Sequence, residues 1–358
     1  MNEVRQRVRD EDEAVSCGCL HLDAEEVVRY FKEEMVYSVQ IESNHSCPQG
    51  CRYCYASADG APVHELPAED ISAVLYAAAT MDVKAIDWLG GDPLCRPDWY
   101  ELMVHAADLG FVNNIWTSGM PLADPAVARR AIEMTEGGFI SVHLDSLNPG
   151  VYGQLHTGNA EEKIRAISRG VETVLALGKP ASELVNCITF THPLAGDDVK
   201  ATMRHFCEDL GMKICLTQIC AVGLAEVHPE WIPALEEIRD ACRERDRICY
   251  PGSSWSLGTM DVNKFYCGGM VCVTVDGDVT PCSVIRKGYG NIRERSLRKI
   301  VDEHRDELLF SRMRQPGANP SPCTWCEQSA VCWGCRALAY YETGDICGAD
   351  PKCWRAAL

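Results

Sequence analysis

The feature that most constrains the fold is a group of three closely spaced cysteines, Cys47, Cys51 and Cys54, in a Cys-x3-Cys-x2-Cys array. The array directly follows a predicted strand over residues 37–42. Three thiolates are one fewer than the four ligands of an iron–sulfur cube or a structural zinc ion. The array therefore indicates an iron–sulfur cluster with one iron open to another ligand, a zinc site completed by His45 or a remote cysteine, or inert buried thiols.

Cysteine usage and charge narrow the class of protein. The chain has 21 cysteines in 358 residues and begins Met1-Asn2-Glu3 without an apolar run. Secreted disulfide scaffolds are short and follow a signal peptide, so these cysteines predict a cytoplasmic metal or redox protein, one that is protected from oxygen. No stretch reaches the ~18 apolar residues of a membrane helix. The net charge of -18, without a basic run, argues against nucleic acid and anionic membranes as partners.

After the array, strands and helices alternate about six times. The predicted strands cover 85–89, 111–116, 139–144, 184–190 and 213–219, and the predicted helices cover 67–78, 99–109, 125–134, 160–177, 198–210 and 231–245. Such alternation requires a parallel sheet with functional loops at the carboxyl ends of its strands. We therefore predict an α/β fold, a partial (β/α)6 TIM-like barrel.

The array, with Tyr53 before and Tyr55 after its third cysteine, resembles the cluster motif of the radical S-adenosylmethionine (SAM) enzymes. The resemblance implies that the three cysteines hold a [4Fe-4S] cluster whose fourth iron binds SAM. It also implies that one electron from the cluster cleaves SAM to methionine and a 5′-deoxyadenosyl radical, which takes hydrogen from the substrate. A flavodoxin or ferredoxin would supply the electron.

Later loops resemble the positions that bind SAM in this family. Gly90-Gly91-Asp92-Pro93 resembles the Gly-Gly-Glu-Pro segment that binds the SAM amino group, with an acidic side chain one methylene shorter. Alone, this segment would be read as an ordinary turn, but similar positions follow two further strands. The SAM contacts implied by the resemblance are Tyr53, Gly90, Gly91, Asp92, Pro93, Thr117, Ser118, Ser141, His143 and Asp145.

From residue 250 the alternation ends and a second group of cysteines begins, with a predicted hairpin over 273–279. The group resembles the SPASM domain, an extension with two auxiliary [4Fe-4S] clusters. The resemblance implies Cys267, Cys272, Cys282 and Cys335 for the first cluster and Cys323, Cys326, Cys332 and Cys353 for the second, with Cys347 as a substitute for Cys353. One departure is that two residues, not three, separate Cys332 from Cys335. The alternative is a pair of structural zinc sites.

The remaining cysteines of the barrel lie in apolar contexts and are interpreted as small buried hydrophobic residues. They are Cys95, Cys187, Cys207, Cys215, Cys220, Cys242 and Cys249. Among them, Cys95 is placed near the predicted SAM pocket and could have a functional role.

The sequence predicts three segments: an arm with a short helix (1–36), the barrel (37–249) and the SPASM domain (250–358). The predicted function is a radical SAM enzyme with three [4Fe-4S] clusters that oxidises, cross-links or epimerises a peptide or protein. The alternatives are a small-molecule substrate such as a tetrapyrrole, sugar or nucleoside, and a non-catalytic zinc or redox module. Ser283 follows Cys282 where sulfatase-maturing relatives have an aspartate base, so the sequence assigns no catalytic residue.

Overall fold

Strands and helices alternate along the computed structural model, which describes residues 20–58, 64–249, 261, 263–315 and 318–357. The strands are β1 Ser38–Glu42, β2 Ala85–Leu89, β3 Val112–Trp116, β4 Ile140–His143, β5 Leu184–Phe190, β6 Lys213–Gln218, β7 Met270–Val273 and β8 Val279–Thr280. The helices are α1 Ala24–Lys32, α2 Ala68–Thr80, α3 Trp99–Asp108, α4 Pro125–Met134, α5 Pro149–Leu155, α6 Ala160–Ala176, α7 Asp197–Arg204, α8 Leu235–Cys249, α9 Lys264–Cys267, α10 Leu297–Glu303, α11 Arg305–Leu308, α12 Ser311–Arg314 and α13 Arg336–Thr343.

The strands of the described residues form one sheet in the order β6-β5-β4-β3-β2-β1-β7-β8. Strands β1 to β6 pair in parallel with their neighbours in sequence. Each parallel pair needs a crossover connection, which a helix provides here. The predicted α/β fold with a partial (β/α)6 barrel is therefore confirmed.

The same sheet continues into the C-terminal part of the chain. Strand β7 pairs in parallel with β1, with Met270 opposite Ser38, and β8 pairs antiparallel with β7. The hairpin predicted around Gly277 is thus confirmed, and this glycine has a φ of 87°. The pairing of β7 with β1 was not predicted, because hydrophobic patterning does not identify the partner of a strand.

Helix boundaries differ from the predictions where proline or capping residues intervene. Helix α8 begins at Leu235 rather than at Trp231, since the residue before Pro233 is held extended (φ −71°, ψ 118°). Helix α5 was missed, although Asn148 caps it by accepting a hydrogen bond from the Gly150 N–H. Residues 1–19 of the predicted arm lie outside the described residues.

Polar side chains fill the interior of the barrel below the carboxyl ends of its strands. Asp87 on β2 is fully buried and accepts hydrogen bonds from Ser38 Oγ (2.7 Å), Asn114 Nδ2 (2.8 Å) and the Tyr266 hydroxyl. These bonds tie three barrel strands to the segment after residue 263.

Within the described part of the chain, no helix is both long and apolar enough to cross a membrane.

A buried ion pair also joins the barrel to the C-terminal part. Glu42, at the end of β1, is completely buried and pairs with the Arg286 guanidinium through both carboxylate oxygens. Arg286 Nη1 also donates to the Ser283 carbonyl (3.0 Å).

Arg286→Met is expected to lower the free energy of unfolding by about 3–5 kcal/mol, because it leaves a buried carboxylate without its cation. Urea unfolding of the anaerobically purified protein measures the loss. Arg298→Met is the matched control, since its pair with Asp302 is exposed and is worth at most about 1 kcal/mol. Equal effects of the two substitutions would contradict the role of the buried pair.

Candidate cluster and cofactor sites

A cavity of about 320 Å³ lies at the carboxyl ends of the barrel strands. This volume is within the roughly 300–1,000 Å³ of small-molecule sites. The cavity brings together most of the residues implied by the resemblance. Its lining includes Cys47, Cys51, Cys54, Tyr53, Gly90, Gly91, Thr117, Ser118, Ser141 and His143 from the barrel, and Cys267, Cys282 and Cys335 from the C-terminal part. The implied residues Asp92, Pro93, Asp145 and Cys272 are absent from the lining.

The cysteine loop is fixed at its start and in its middle by side chains from elsewhere in the barrel. Arg96 Nη1 donates to the Ser43 carbonyl (2.8 Å) at the start of the loop. Lys163 Nζ donates to the Gln49 carbonyl (2.6 Å) in its middle. These bonds hold the three thiols in place around one end of the cavity.

The environment of the thiols fits an iron–sulfur cluster. Burial raises the pKa of the Cys47 thiol to about 12, so a nearby cation is needed to keep it as a thiolate. The Ala58 N–H donates to Cys54 Sγ (3.4 Å), which stabilises negative charge on that sulfur. The irons of a bound cluster would supply this positive charge.

Two glycines allow the β2 loop to lie directly on the cysteine loop. The Gly91 N–H donates to the Asn44 carbonyl (2.5 Å), and the Asp92 N–H donates to the Ser46 carbonyl (2.7 Å). A Cβ atom at Gly91 would lie 2.3 Å from the Ser46 carbonyl oxygen, and one at Gly90 would lie 2.3 Å from the Asn44 carbonyl oxygen. Side chains at these positions would therefore push the two loops apart.

The Asp92 side chain turns away from the cavity and holds the next loop. Its carboxylate accepts hydrogen bonds from Thr117 Oγ1 (2.8 Å), Ser118 Oγ (2.6 Å), and the backbone N–H groups of Ser118 (2.9 Å) and Leu94 (3.1 Å). The burial of Asp92 raises its pKa, although these bonds oppose the shift. The backbone of the β2 loop, rather than the Asp92 carboxylate, thus faces the cavity.

Asp92→Asn is expected to destabilise the fold by about 1–3 kcal/mol and to weaken SAM binding. Each carboxylate oxygen accepts from a backbone N–H, so one of these donors would face an amide NH2 group and lose its partner. Thermal unfolding and calorimetric titration with SAM measure the two effects. Asp124→Asn is the control, because asparagine caps a helix as well as aspartate does. Unchanged SAM binding in Asp92→Asn would refute the positioning role.

The cavity wall includes a hydroxyl group whose hydrogen-bonding capacity is unused by the described part of the chain. The Ser141 hydroxyl on β4 is buried and has no hydrogen-bond partner among the described residues. It lines the cavity next to Thr117 and Ser118. A buried hydroxyl without a partner is costly, so its position fits a polar ligand such as a ribose.

A buried network lies behind the second cysteine of the array. The Tyr53 hydroxyl donates to Asp145, lies 2.8 Å from His143 Nε2 and is 3.4 Å from His156 Nε2. Burial lowers the pKa of His143, but the Asp145 carboxylate and the Cys187 thiol outweigh it and raise this pKa to about 10. His143 therefore presents a positive charge to the cavity, which suits the carboxylate of an amino acid ligand.

One group of side chains is a candidate zinc site. It consists of the Cys51 thiol and ring nitrogens of His143 and His156, which all lie within 4.8 Å of one another. Both rings are already engaged, however. His143 Nε2 contacts the Tyr53 hydroxyl, and His156 Nδ1 contacts the Tyr152 carbonyl at 3.1 Å. These contacts favour histidines that orient the wall of the cavity over histidines that bind a metal.

A second, smaller cavity collects the other predicted cysteines. Cys323, Cys326, Cys332 and Cys353 all line it, whereas Cys347 does not. The Gln328 N–H donates to Cys326 Sγ (3.4 Å), and the Gly334 N–H donates to Cys332 Sγ (3.3 Å). Four sulfurs around one space, with N–H groups directed at two of them, fit an iron–sulfur cluster.

The predicted ligands of the first auxiliary cluster are only partly brought together. Cys267, Cys282 and Cys335 share the large cavity, while Cys272 lies in β7 outside its lining. Cys220, which sequence analysis assigned to the core, lines the cavity beside them. Its position directly after β6 was the one signal that could have identified it, because functional loops follow the strands of such barrels.

The fold and the two cavities define a class, a partial α/β barrel extended by a cysteine-rich segment that binds iron–sulfur clusters. The family model described as the radical SAM superfamily matches residues 41–206, and the model described as an iron-sulfur cluster-binding domain (SPASM) matches residues 265–333. The chain belongs to the radical SAM superfamily, carries a SPASM domain and is a radical SAM enzyme.

Individual relatives agree with this assignment. The PqqA peptide cyclases of Xanthomonas euvesicatoria pv. vesicatoria (strain 85-10) and Xanthomonas axonopodis pv. citri (strain 306) are each 26% identical over 340 residues, covering 90% of this chain and 88% of the relative. Streptococcus suis SuiB bound to S-adenosylmethionine has a TM-score of 0.61 and 17% identity, covering 92% of this chain and 81% of SuiB. Native anSMEcpe with bound AdoMet and Cp18Cys peptide has a TM-score of 0.61 and 15% identity, covering 88% of this chain and 93% of that chain. These two structures show the shared fold.

Proposed function

We propose that this enzyme removes a hydrogen atom from a peptide or protein substrate held between two clusters. The observation that carries the proposal is the single cavity that reaches from Cys47, Cys51 and Cys54 to Cys267 and Cys335. A substrate group inside it lies between the SAM-binding end and the auxiliary end. The barrel and the C-terminal part both contribute to the walls, so neither forms the site alone.

Each group of residues has a distinct task in this proposal. Cys47, Cys51 and Cys54 hold the SAM-binding cluster, which when bound supplies the electron that cleaves SAM. The backbone of Gly90 and Gly91 receives the amino group of SAM, and protonated His143 pairs with its carboxylate. The ribose lies next to the hydroxyl groups of Thr117, Ser118 and Ser141. Of these three, the Ser141 hydroxyl has no hydrogen-bond partner within the described part of the protein and can bond to the ribose.

The second auxiliary cluster lies at the smaller cavity, with Cys323, Cys326, Cys332 and Cys353 as its ligands. We propose further that this acidic protein is cytoplasmic and that a flavodoxin or ferredoxin donates the electron. We also propose the sequence division at residues 249 and 250 as the boundary between barrel and SPASM domain.

The comparisons with known proteins favour a peptide over a small molecule. The relatives at 26% identity are named peptide cyclases, and both SuiB and anSMEcpe have structures with a bound peptide.

The described lining of the cavity contains no aspartate or glutamate, and Ser283 lies where a carboxylate base would follow Cys282. A cross-link or an oxidation that needs no carboxylate base therefore fits better than the sulfatase-maturing reaction.

The test uses the anaerobically reconstituted holoenzyme immobilised with SAM and exposed to a displayed peptide library. Captured peptides are synthesised with deuterated side chains and incubated with enzyme, SAM and reductant. We expect deuterium in 5′-deoxyadenosine and a mass change in the peptide. Failure of every captured peptide to accept hydrogen abstraction, together with turnover of a tetrapyrrole, sugar or nucleoside, would overturn the peptide proposal.

A further inference from the structure

The first auxiliary site holds three of its predicted cysteines and lacks a clear fourth. Cys267 ends α9, Cys282 follows β8, and Cys335 precedes α13. All three residues line the end of the large cavity that is formed by the C-terminal part of the chain. A cluster that is fully coordinated by the protein takes four ligands, so one more side chain is required at this place.

Cys272 is poorly placed for that role. It lies in the middle of the sheet, opposite Gln40 of β1 on one side and Thr280 of β8 on the other. Near its thiol are the Thr280 hydroxyl, the charged side chains of Glu42 and Arg286, and Cys282. Although Gln40 lines the cavity, Cys272 does not.

Cys220 occupies the place that Cys272 does not reach. It is buried and lines the cavity together with Cys267, Cys282 and Cys335. Its thiol lies close to the Cys335 thiol, and its Sγ is 4.0 Å from the Gln218 carbonyl oxygen. Cys220 belongs to a buried apolar cluster, and Cys267, Cys282 and Cys335 are partly buried against that cluster.

The loop that carries Cys220 is fixed in position by the SAM-cluster loop. The Leu224 N–H donates to the Cys54 carbonyl (3.0 Å). Gly223 has a φ of 62°, and a Cβ atom there would lie 2.5 Å from the Tyr55 carbonyl oxygen and 2.6 Å from the Cys54 carbonyl oxygen. This close packing presents the preceding cysteine toward the auxiliary site from the barrel side.

We propose that Cys220 is the fourth ligand of the first auxiliary cluster, with Cys267, Cys282 and Cys335, and that Cys272 is not a ligand. The inference rests on the proposed function, since it assumes the same cavity and clusters. An iron–sulfur bond forms at Cys220 as the S–H proton passes to solvent, without a change of oxidation state. The cluster thereby links the barrel directly to the SPASM domain.

The test compares Cys220→Ala and Cys272→Ala with the wild type after anaerobic reconstitution of the full chain. Iron and sulfide are counted, and the reduced enzymes are studied by electron paramagnetic resonance with and without added cyanide. For Cys220→Ala we expect either a loss of about four irons or a cluster signal that changes with cyanide, because one iron has become open. Cys272→Ala should match the wild type in both measurements.

A Cys220→Ala protein that matches the wild type, with losses in Cys272→Ala instead, would overturn the inference. Circular dichroism checks that the variants fold, and Cys220→Ser keeps the size of the side chain if alanine disrupts folding; the serine variant should show an altered cluster signal. SAM cleavage without peptide separates the two proposals. Its absence in the wild type contradicts the proposed SAM site, whereas its presence together with an unchanged Cys220→Ala contradicts only the role of Cys220.

Discussion

Replacing Cys51 with alanine is expected to abolish reductive cleavage of SAM and to remove about four of the roughly 12 irons of a three-cluster enzyme. The thiol is one of the three of the array, all of which line the cavity. Two remaining thiolates cannot hold a cubane cluster firmly. Iron and sulfide analysis, with chromatographic detection of 5′-deoxyadenosine, measures both losses.

Cys207→Ala is the matched control for this substitution. Cys207 is also partly buried, but its thiol contacts the Ile248 carbonyl (3.8 Å) and it is not part of either cavity lining. The control should retain its iron and its SAM cleavage. Wild-type SAM cleavage by Cys51→Ala would mean that the array does not bind the SAM cluster.

Gly91→Ala is expected to weaken SAM binding by more than about tenfold, which corresponds to about 1.4 kcal/mol. The added methyl group would lie 2.3 Å from the Ser46 carbonyl oxygen, so the β2 loop must move away from the cysteine loop. Overpacking of this kind also costs about 1–3 kcal/mol of folding stability. Calorimetric titration of the reconstituted enzyme with SAM and urea unfolding give the two values.

Gly153→Ala is the control for Gly91→Ala because both remove a glycine near the same end of the barrel. In helix α5 the new methyl group would meet only the Ala160 Cβ at 3.7 Å, an ordinary contact. Alanine in a helix is favoured over glycine by roughly 0.5–1 kcal/mol, so this variant should be as stable as the wild type or more stable. If Gly91→Ala bound SAM as well as Gly153→Ala, the close approach of the loops would not matter for the cofactor.

The sequence was sufficient for the features that depend on local patterns. The strands Ala85–Leu89 and Leu184–Phe190 have the predicted bounds, since apolar runs bounded by helix ends and loops leave few alternatives. The four cysteines that were predicted for the second auxiliary site line one cavity. Most of them are neighbours in sequence, so spacing carries the information.

Features that depend on contacts between distant segments were not predictable. Cys220 is 115 residues from Cys335 in sequence, and its apolar neighbours resemble those of any buried cysteine. Asp92 was predicted as a SAM contact from the resemblance of its motif, and the hydrogen bond of its carboxylate with Ser118 in the next loop was not predicted. In both cases the neighbouring residue, Cys335 for Cys220 and Ser118 for Asp92, comes close only when the chain folds.

The pairing of β7 with β1 limits where this polypeptide can be cut. In a fragment that ends at residue 249, β1 would lose its neighbour and show a row of unpaired N–H and C=O groups along one edge. An uncovered edge of this kind, with Val39 and Ile41 in it, is a template for association with other molecules. The last hundred residues thus also act as a cap against self-aggregation, which makes the barrel alone a poor choice for expression.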